Sequence, residues 1–364
     1  MPRIMNLENC LQNLYENEDR DALLNDYFSL NPSLFSASRP NENPEKTFDE
    51  ILSSIGFKYF NPEGEEASTF GKEYLDFLSP LRKVYDASFL ENEPYYRALK
   101  NLSSFKEGNV SFEEEIYLPY QPFVCGDRII REDLKSFTPL GCFSKKTTYP
   151  ALKENGRIWM SLIPHEINTM KEIFARFKGQ VLLYGLGLGY AAFEAARKKE
   201  VTRVVVIEKD RRVIDLFKKR LLPLFINKNK VEIIEGDAIL YAHAHKDEKY
   251  DICFADLWHD GMDGLELYGK LLVNEGAAKK NYYWIENDIL EYFSRLFVRF
   301  LLAKAENTSK KELLDLYGKE IVTFFASLDR VVPEKIFKTS KDINLLFQKE
   351  CLKNHLKMVY SSKI

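Results

Sequence analysis

The stretch Val181-Leu182-Leu183-Tyr184-Gly185-Leu186-Gly187-Leu188-Gly189-Tyr190 decides the fold of this chain. Its first four residues are large and apolar, which suits a strand buried on both faces, as a parallel sheet requires. Three glycines at alternate positions then lead into a helix starting near Ala191. Glycines here let the backbone take torsions closed to other residues and pass close beneath a ligand. In the dinucleotide fingerprint the third glycine or alanine falls three positions after the second, a place held here by Tyr190; the third glycine is instead Gly189.

Outward from this turn, Gln180 to about Ile285 alternates strand and helix, the sequence form of a parallel sheet covered by helices. Strands are expected at Val181 to Tyr184, Arg203 to Glu208, Val231 to Glu235, Tyr250 to Asp256 and Tyr282 to Ile285. Just upstream, Pro164 opens a helix in which Ile167, Met170, Ile173, Phe174 and Phe177 recur at three-and-four spacing until Gly179. The fold class is therefore α/β, a doubly wound and mostly parallel sheet over residues 164–304. Residues 1–109 read as mostly helical, with helical periodicity in Asp21 to Phe28 and Thr47 to Phe57 around a polar loop from Ser36 to Glu45. Residues 110–163 carry short strand-like runs, Glu115 to Leu118, Pro122 to Cys125 and Arg157 to Leu162. Leu290, Phe293, Leu296, Phe297, Phe300 and Leu301 make one helical stripe, a packed face or a homodimer contact, and residues 305–364 form a helical extension ending in a basic tail.

Composition narrows the function. The chain has 364 residues, 52 Lys and Arg against 55 Asp and Glu, and a net charge of -3. It lacks the basic footprint of a nucleic-acid partner. Five scattered cysteines, with no CxxC pair, argue against a disulfide framework and a zinc cluster and for a reducing, cytoplasmic setting. No run reaches the ~18 apolar residues of a spanning helix, and no secretory pattern opens the chain, so no membrane association is expected. His243 and His245, two apart, cannot share a helical face, and no metal is expected there. His259 with Asp256, Asp260 and Asp263 reads as a solvated loop ahead of a metal site.

Three carboxylates stand at the carboxyl ends of the expected strands, where open α/β sheets bind ligands. Glu208 lies 19 residues beyond Gly189 and suits the hydroxyls of a ribose; Asp237, in Gly236-Asp237-Ala238, suits an adenine amino group; Asp256 ends the fourth strand. Each has a plainer reading as a strand-end acid or a helix cap. Trp159, Trp258 and Tyr190 are read as core residues that also offer aromatic walls.

Residues 181 to about 260 resemble the Rossmann-like methyltransferases, through Gly185, Gly187 and Gly189, Glu208, Asp237 and Asp256. The resemblance, like the short glycine spacing, points to S-adenosylmethionine in place of NAD as cofactor. It implies a cofactor set of Tyr184, Gly185, Gly187, Gly189, Glu208, Lys209, Asp237, Ala238 and Asp256. Asp256 then stands beside the chemistry, methyl transfer to a small-molecule or protein acceptor. Many members carry an acid two positions before the first glycine to hold the methionine amino group; here it is Leu183. Asp237 and Asp256 also resemble those of the spermidine synthases, whose run of glycines followed by aspartate is missing. Trp159-Met160 and Pro164-His165-Glu166 resemble a lead-in segment laid over the cofactor. A degenerate, non-catalytic scaffold is the third reading.

Overall fold

Five strands, β1 (Gly179–Tyr184), β2 (Val201–Glu208), β3 (Val231–Glu235), β4 (Tyr250–Ala255) and β5 (Ala278–Tyr283), pair in parallel in the spatial order β3-β2-β1-β4-β5. The structure, a computed structural model, describes residues 2–36, 41–60, 72–247, 250–332 and 345–361. Part of the expected polar loop, 37–40, and the end of the basic tail, 362–364, lie outside them. Helices α1 (Pro164–Ala175), α2 (Tyr190–Arg197), α3 (Arg211–Leu216), α4 (Ala238–Ala244), α5 (Gly261–Val273) and α6 (Glu286–Glu306) precede, link and follow the strands. Right-handed crossovers send helices reached on either side of β1 to opposite sheet faces, so strand order reverses at β1 and β4 and opens a crevice at their carboxyl ends. Val181 to Tyr184 and Val204 to Ile207 are buried throughout, as their apolar runs require.

Two expectations shift. Strand β5 occupies Ala278–Tyr283 in place of Tyr282 to Ile285, because its first residues are polar: an edge strand bonded only to β4 tolerates Lys279, Lys280 and Asn281 and shows no apolar run. Ile285 instead turns left-handed, with φ 43°, to start α6. The region 1–109 is helical over Pro2–Ser29 and Pro44–Ile55 but also contributes strands. Arg82–Tyr85 pairs in parallel with Leu140–Phe143, and Phe105–Glu107 forms a hairpin with Val110–Tyr117, so the 109/110 boundary falls inside a turn. These strands escaped the sequence reading because they are short and one finds its partner far downstream. Val110–Tyr117, Thr147–Glu154 and Arg157–Ser161 continue the hairpin into an antiparallel sheet whose last strand leads directly into α1.

The aromatic stripe of α6 is a packed face within the chain. Leu290, Phe293, Leu296, Phe297 and Phe300 are buried, and α6 packs against helix Pro2–Ser29, α5 and the C-terminal helices Lys310–Val331 and Lys349–Ser361. Among the described residues no helix is long and apolar enough to cross a membrane.

A buried ionic joint ties these parts. The Arg128 Nε donates to Asp288 Oδ1 of α6 at 2.6 Å, while its Nη2 lies 3.1 Å from Asp21 of the N-terminal helix. Arg295 of α6 adds Asp21 and Glu291, each at 2.7 Å. Removing one partner from such a group leaves charge buried without compensation. Arg128→Ala is expected to lower unfolding free energy by about 3 to 5 kcal/mol, read from guanidinium denaturation; a loss below about 1 kcal/mol, the level of a surface pair, contradicts the joint.

Candidate active site

The glycine turn is shaped by two different demands. Gly185 has φ +92°, and a Cβ there would lie 2.2 Å from the Asp256 carbonyl oxygen, so the end of β1 is pressed against the end of β4. Gly187 has φ +55° but meets no atom within 4 Å; it lines an open crevice of about 400 Å³. That volume lies in the range of small-molecule sites, and the bare Gly187 backbone leaves room for a ligand to lie directly on the turn. Gly189 caps α2 and does not line the crevice. The Tyr95 hydroxyl secures the turn from behind by donating to the Leu188 carbonyl at 2.5 Å.

The crevice brings together most of the expected residues: Gly185, Gly187, Glu208, Lys209, Asp237, Ala238 and Asp256. The Glu208 carboxylate is fixed by two backbone amides, Leu186 donating to Oε2 at 3.0 Å and Asp210 to Oε1 at 2.8 Å. A carboxylate offers about four acceptor positions, so two remain for the hydroxyls of a ribose. Asp237 is indeed a helix cap: its Oδ1 accepts from Ile239 and Leu240 of α4 at 2.8 and 3.0 Å. It also lines the crevice, so the cap orients an acid at the cavity wall. Tyr184 is a correction. Its ring is buried in the core, edge-on to Tyr241, and it does not line the crevice, because β1 is covered on both faces and its side chains pack inward on each. Leu183 is equally buried and equally absent from the crevice.

Asp256 follows β4, its amide donating to the Tyr184 carbonyl at 2.9 Å. Burial in the crevice raises its carboxyl to about 7, with His259 pulling the other way. A second acid faces it. Glu166, in the first turn of α1, lines the same crevice and is hydrogen-bonded by Ser161 through backbone and hydroxyl; burial first, and the Asp256 charge second, hold its carboxyl well above the ordinary range. Sequence reasoning quoted Glu166 in the lead-in segment but gave it no role; Pro164 at the helix start, which fixes residue 166 within the first turn, was the available signal.

Aromatic walls close this end. Trp258 Nε1 donates to the Trp284 carbonyl at 2.9 Å, and Trp284 Nε1 to Thr169 Oγ1 at 2.9 Å, so both rings are satisfied and immobile while lining the crevice with Trp159 and Tyr190. His259 belongs to a helix start: Asp260 and Asp263 form a capping box on α5, with His259 Nδ1 3.2 Å from Asp263. Among the described residues no group of three His, Cys, Asp or Glu side chains is arranged to hold a metal.

Comparison with known proteins bears on this same region. A family model for the spermine/spermidine synthase domain matches residues 167–270. An uncharacterized protein of Methanocaldococcus jannaschii is 28% identical over 225 residues, 58% of this chain and 70% of that protein. Among solved structures the chain is similar to the spermidine synthase of Thermotoga maritima, with 20% identity over 34% of this chain and 44% of that one and a TM-score of 0.26. It is also similar to a spermidine synthase in complex with the transition state analogue AdoDATO, with 19% identity, 36% and 47% coverage and a TM-score of 0.29. A protein of Klebsiella pneumoniae described as a candidate O-methyltransferase gives 17%, 29% and 46%, with a TM-score of 0.23. The chain spans less than half the length of each of these solved proteins.

The two glycines are expected to separate fold from binding. Gly187→Ala adds a methyl group in open space at a left-handed residue, costing about 1 to 2 kcal/mol, and should leave a folded protein with weakened affinity for an adenosyl ligand by calorimetry. Gly185→Ala, driven into the Asp256 carbonyl, should lose more stability than that; equal thermal midpoints for the two variants would contradict the close approach.

Proposed function

We propose that the protein is a transferase that alkylates an amine from an adenosyl sulfonium donor, of the aminopropyltransferase type, ahead of the methyl transfer that the glycine turn alone suggests. The observation that carries this reading is the charge of the crevice. Glu166, Glu208, Asp210, Asp237 and Asp256 line it against a single lysine or arginine among the described residues, Lys209, which follows Glu208 at the nucleoside end. Field lines focused in such a cleft favour cations: a sulfonium, and an ammonium at the far end. An α-carboxylate, as in S-adenosylmethionine itself, would meet Glu166 and Asp256 at an end that His259 borders and where no lysine or arginine lines the crevice among the described residues. The family match over residues 167–270 supports the same choice.

The residues fit an adenosyl group. Glu208 would hold the ribose, Asp237 and the Ala238 backbone the base, and the open face at Gly187 the linking atoms. When bound, the donor supplies an electrophilic carbon on a positively charged sulfur, with a neutral thioether as leaving group. Asp256 accepts the proton that the acceptor nitrogen gives up as its bond to carbon forms. A carboxyl raised to about 7 is matched to that task, since a base is most effective with its pKa near the working pH. Trp159, Trp258 and Tyr190 keep water from the reacting atoms, and the fixed geometry supplies much of the acceleration.

The test is mass spectrometry of the purified protein incubated with decarboxylated S-adenosylmethionine and putrescine or related amines. An aminopropylated amine with release of the thioether nucleoside is expected; methylated product from S-adenosylmethionine, with none from the decarboxylated donor, restores the methyltransferase reading. Asp256→Asn should lower kcat by about 10² to 10⁴. In the unaltered protein the rate should rise with pH through about 7, as the base ionises, and that limb should vanish in the variant.

A further inference from the structure

We infer that Glu166 is the specificity-determining residue for the donor, pairing with the ammonium group at the end of its side chain in place of the acid that is absent from position 183. The inference rests on the aminopropyl reading for the donor's identity. Leu183 and Leu188 are buried, and β1 and the glycine turn offer no carboxylate to a cation. The five acids of the crevice are not equivalent. Glu208 is held by two amides, Asp210 caps α3 and pairs with Arg212, and Asp237 caps α4. All three stand at or just after the carboxyl ends of β2 and β3, on the nucleoside side of the glycine turn. The other two, Glu166 and Asp256, face the tryptophan-walled end.

Asp256 leads out of β4 and is tied by its backbone amide to the sheet, which suits the acceptor nitrogen. Glu166 comes from the other wall. It projects from the first turn of α1, where the helix dipole favours an anion, and Ser161 lines the crevice beside it. The two acids repel, His259 is the imidazole that borders Asp256, and no lysine or arginine lines this end among the described residues; a ligand ammonium between the acids would relieve both. Because burial and Asp256 hold Glu166 towards its neutral form, its pairing with a cation must release a proton, and affinity for the cationic donor must climb with pH.

The experiment compares two ligands on the full chain by calorimetry: decarboxylated S-adenosylmethionine, and methylthioadenosine, which keeps the nucleoside but lacks the ammonium. The unaltered protein should prefer the former and release a proton on binding it, measured in buffers of different ionisation heat. Glu166→Gln should weaken the charged ligand at least tenfold and change methylthioadenosine less than twofold, the latter also certifying the fold. Glu166→Asp, which keeps the charge, should recover part of the preference. Loss of the preference in Glu166→Gln supports the pairing even if no aminopropylated product forms, an outcome that removes the proposed reaction alone. Equal weakening of both ligands, an unchanged preference, or no preference in the unaltered protein overturns it, whatever the reaction proves to be.

Discussion

The contact on which the site depends is the close approach of Gly185 to the carbonyl of Asp256. β1 and β4 are neighbours, and strand order reverses between them. If the backbone leaving β1 carried a side chain, the two strand ends would have to separate. Because it does not, the glycine turn and Asp256 sit at the mouth of the same pair of strands. The Gly185 amide bonds to Ile207 on β2, and the Gly236 amide to Glu208, so the same line of bonds carries the geometry on to the loop after β3. The ligand-facing groups are therefore held by main-chain hydrogen bonds of a buried sheet, and their separations vary little.

Outside the sheet, the site is completed by elements from a different layer. Strand Arg157–Ser161 brings Trp159, Met160 and Ser161 over the crevice, and α1 follows to bring Glu166. The antiparallel sheet that holds this strand is in turn fixed to the core through its neighbours, with Tyr96 donating to Thr148 at 3.0 Å and Tyr95 reaching the glycine turn. Strand Arg157–Ser161 and α1 thus bring one tryptophan and one acid to the crevice from outside the parallel sheet, and no residue ahead of Trp159 lines it among the described residues.

What could be read from sequence divides along a physical line. The buried strands β1, β2 and β4 announce themselves because a strand covered on both faces must be apolar throughout, and the glycines because only they tolerate the torsions of the turn. Glu208 and Asp256 follow from their place at the ends of such strands, and Asp237 from the Gly236 turn after the half-exposed β3. Arg82–Tyr85 and β5 were hidden or displaced because edge positions and long-range pairing leave little local pattern. Tyr184 came with the set that the resemblance implies, yet β1 is covered on both faces and this side chain packs into the core. Glu166 was passed over for the reverse reason: it lies outside the alternating core and meets Asp256 only through the packing of α1 across the strand ends.

The same packing sets the energetics. In an unfolded chain Asp256 ionises near 3.9; in the folded protein it does so at about 7. Between those values the folded state keeps a proton that the unfolded state has released, so stability falls as pH rises through the window, and the full penalty applies above it. Glu166 is shifted in the same direction and adds to the fall. A fold selected for stability alone would not hold two facing acids in a half-buried crevice. A cation bound between them reverses the sign: it favours both ionised forms, so its stabilisation of the fold grows with pH over the range in which the free protein weakens. In the proposed reading the acid pair is an incomplete ion pair, completed by the charge of a bound cation.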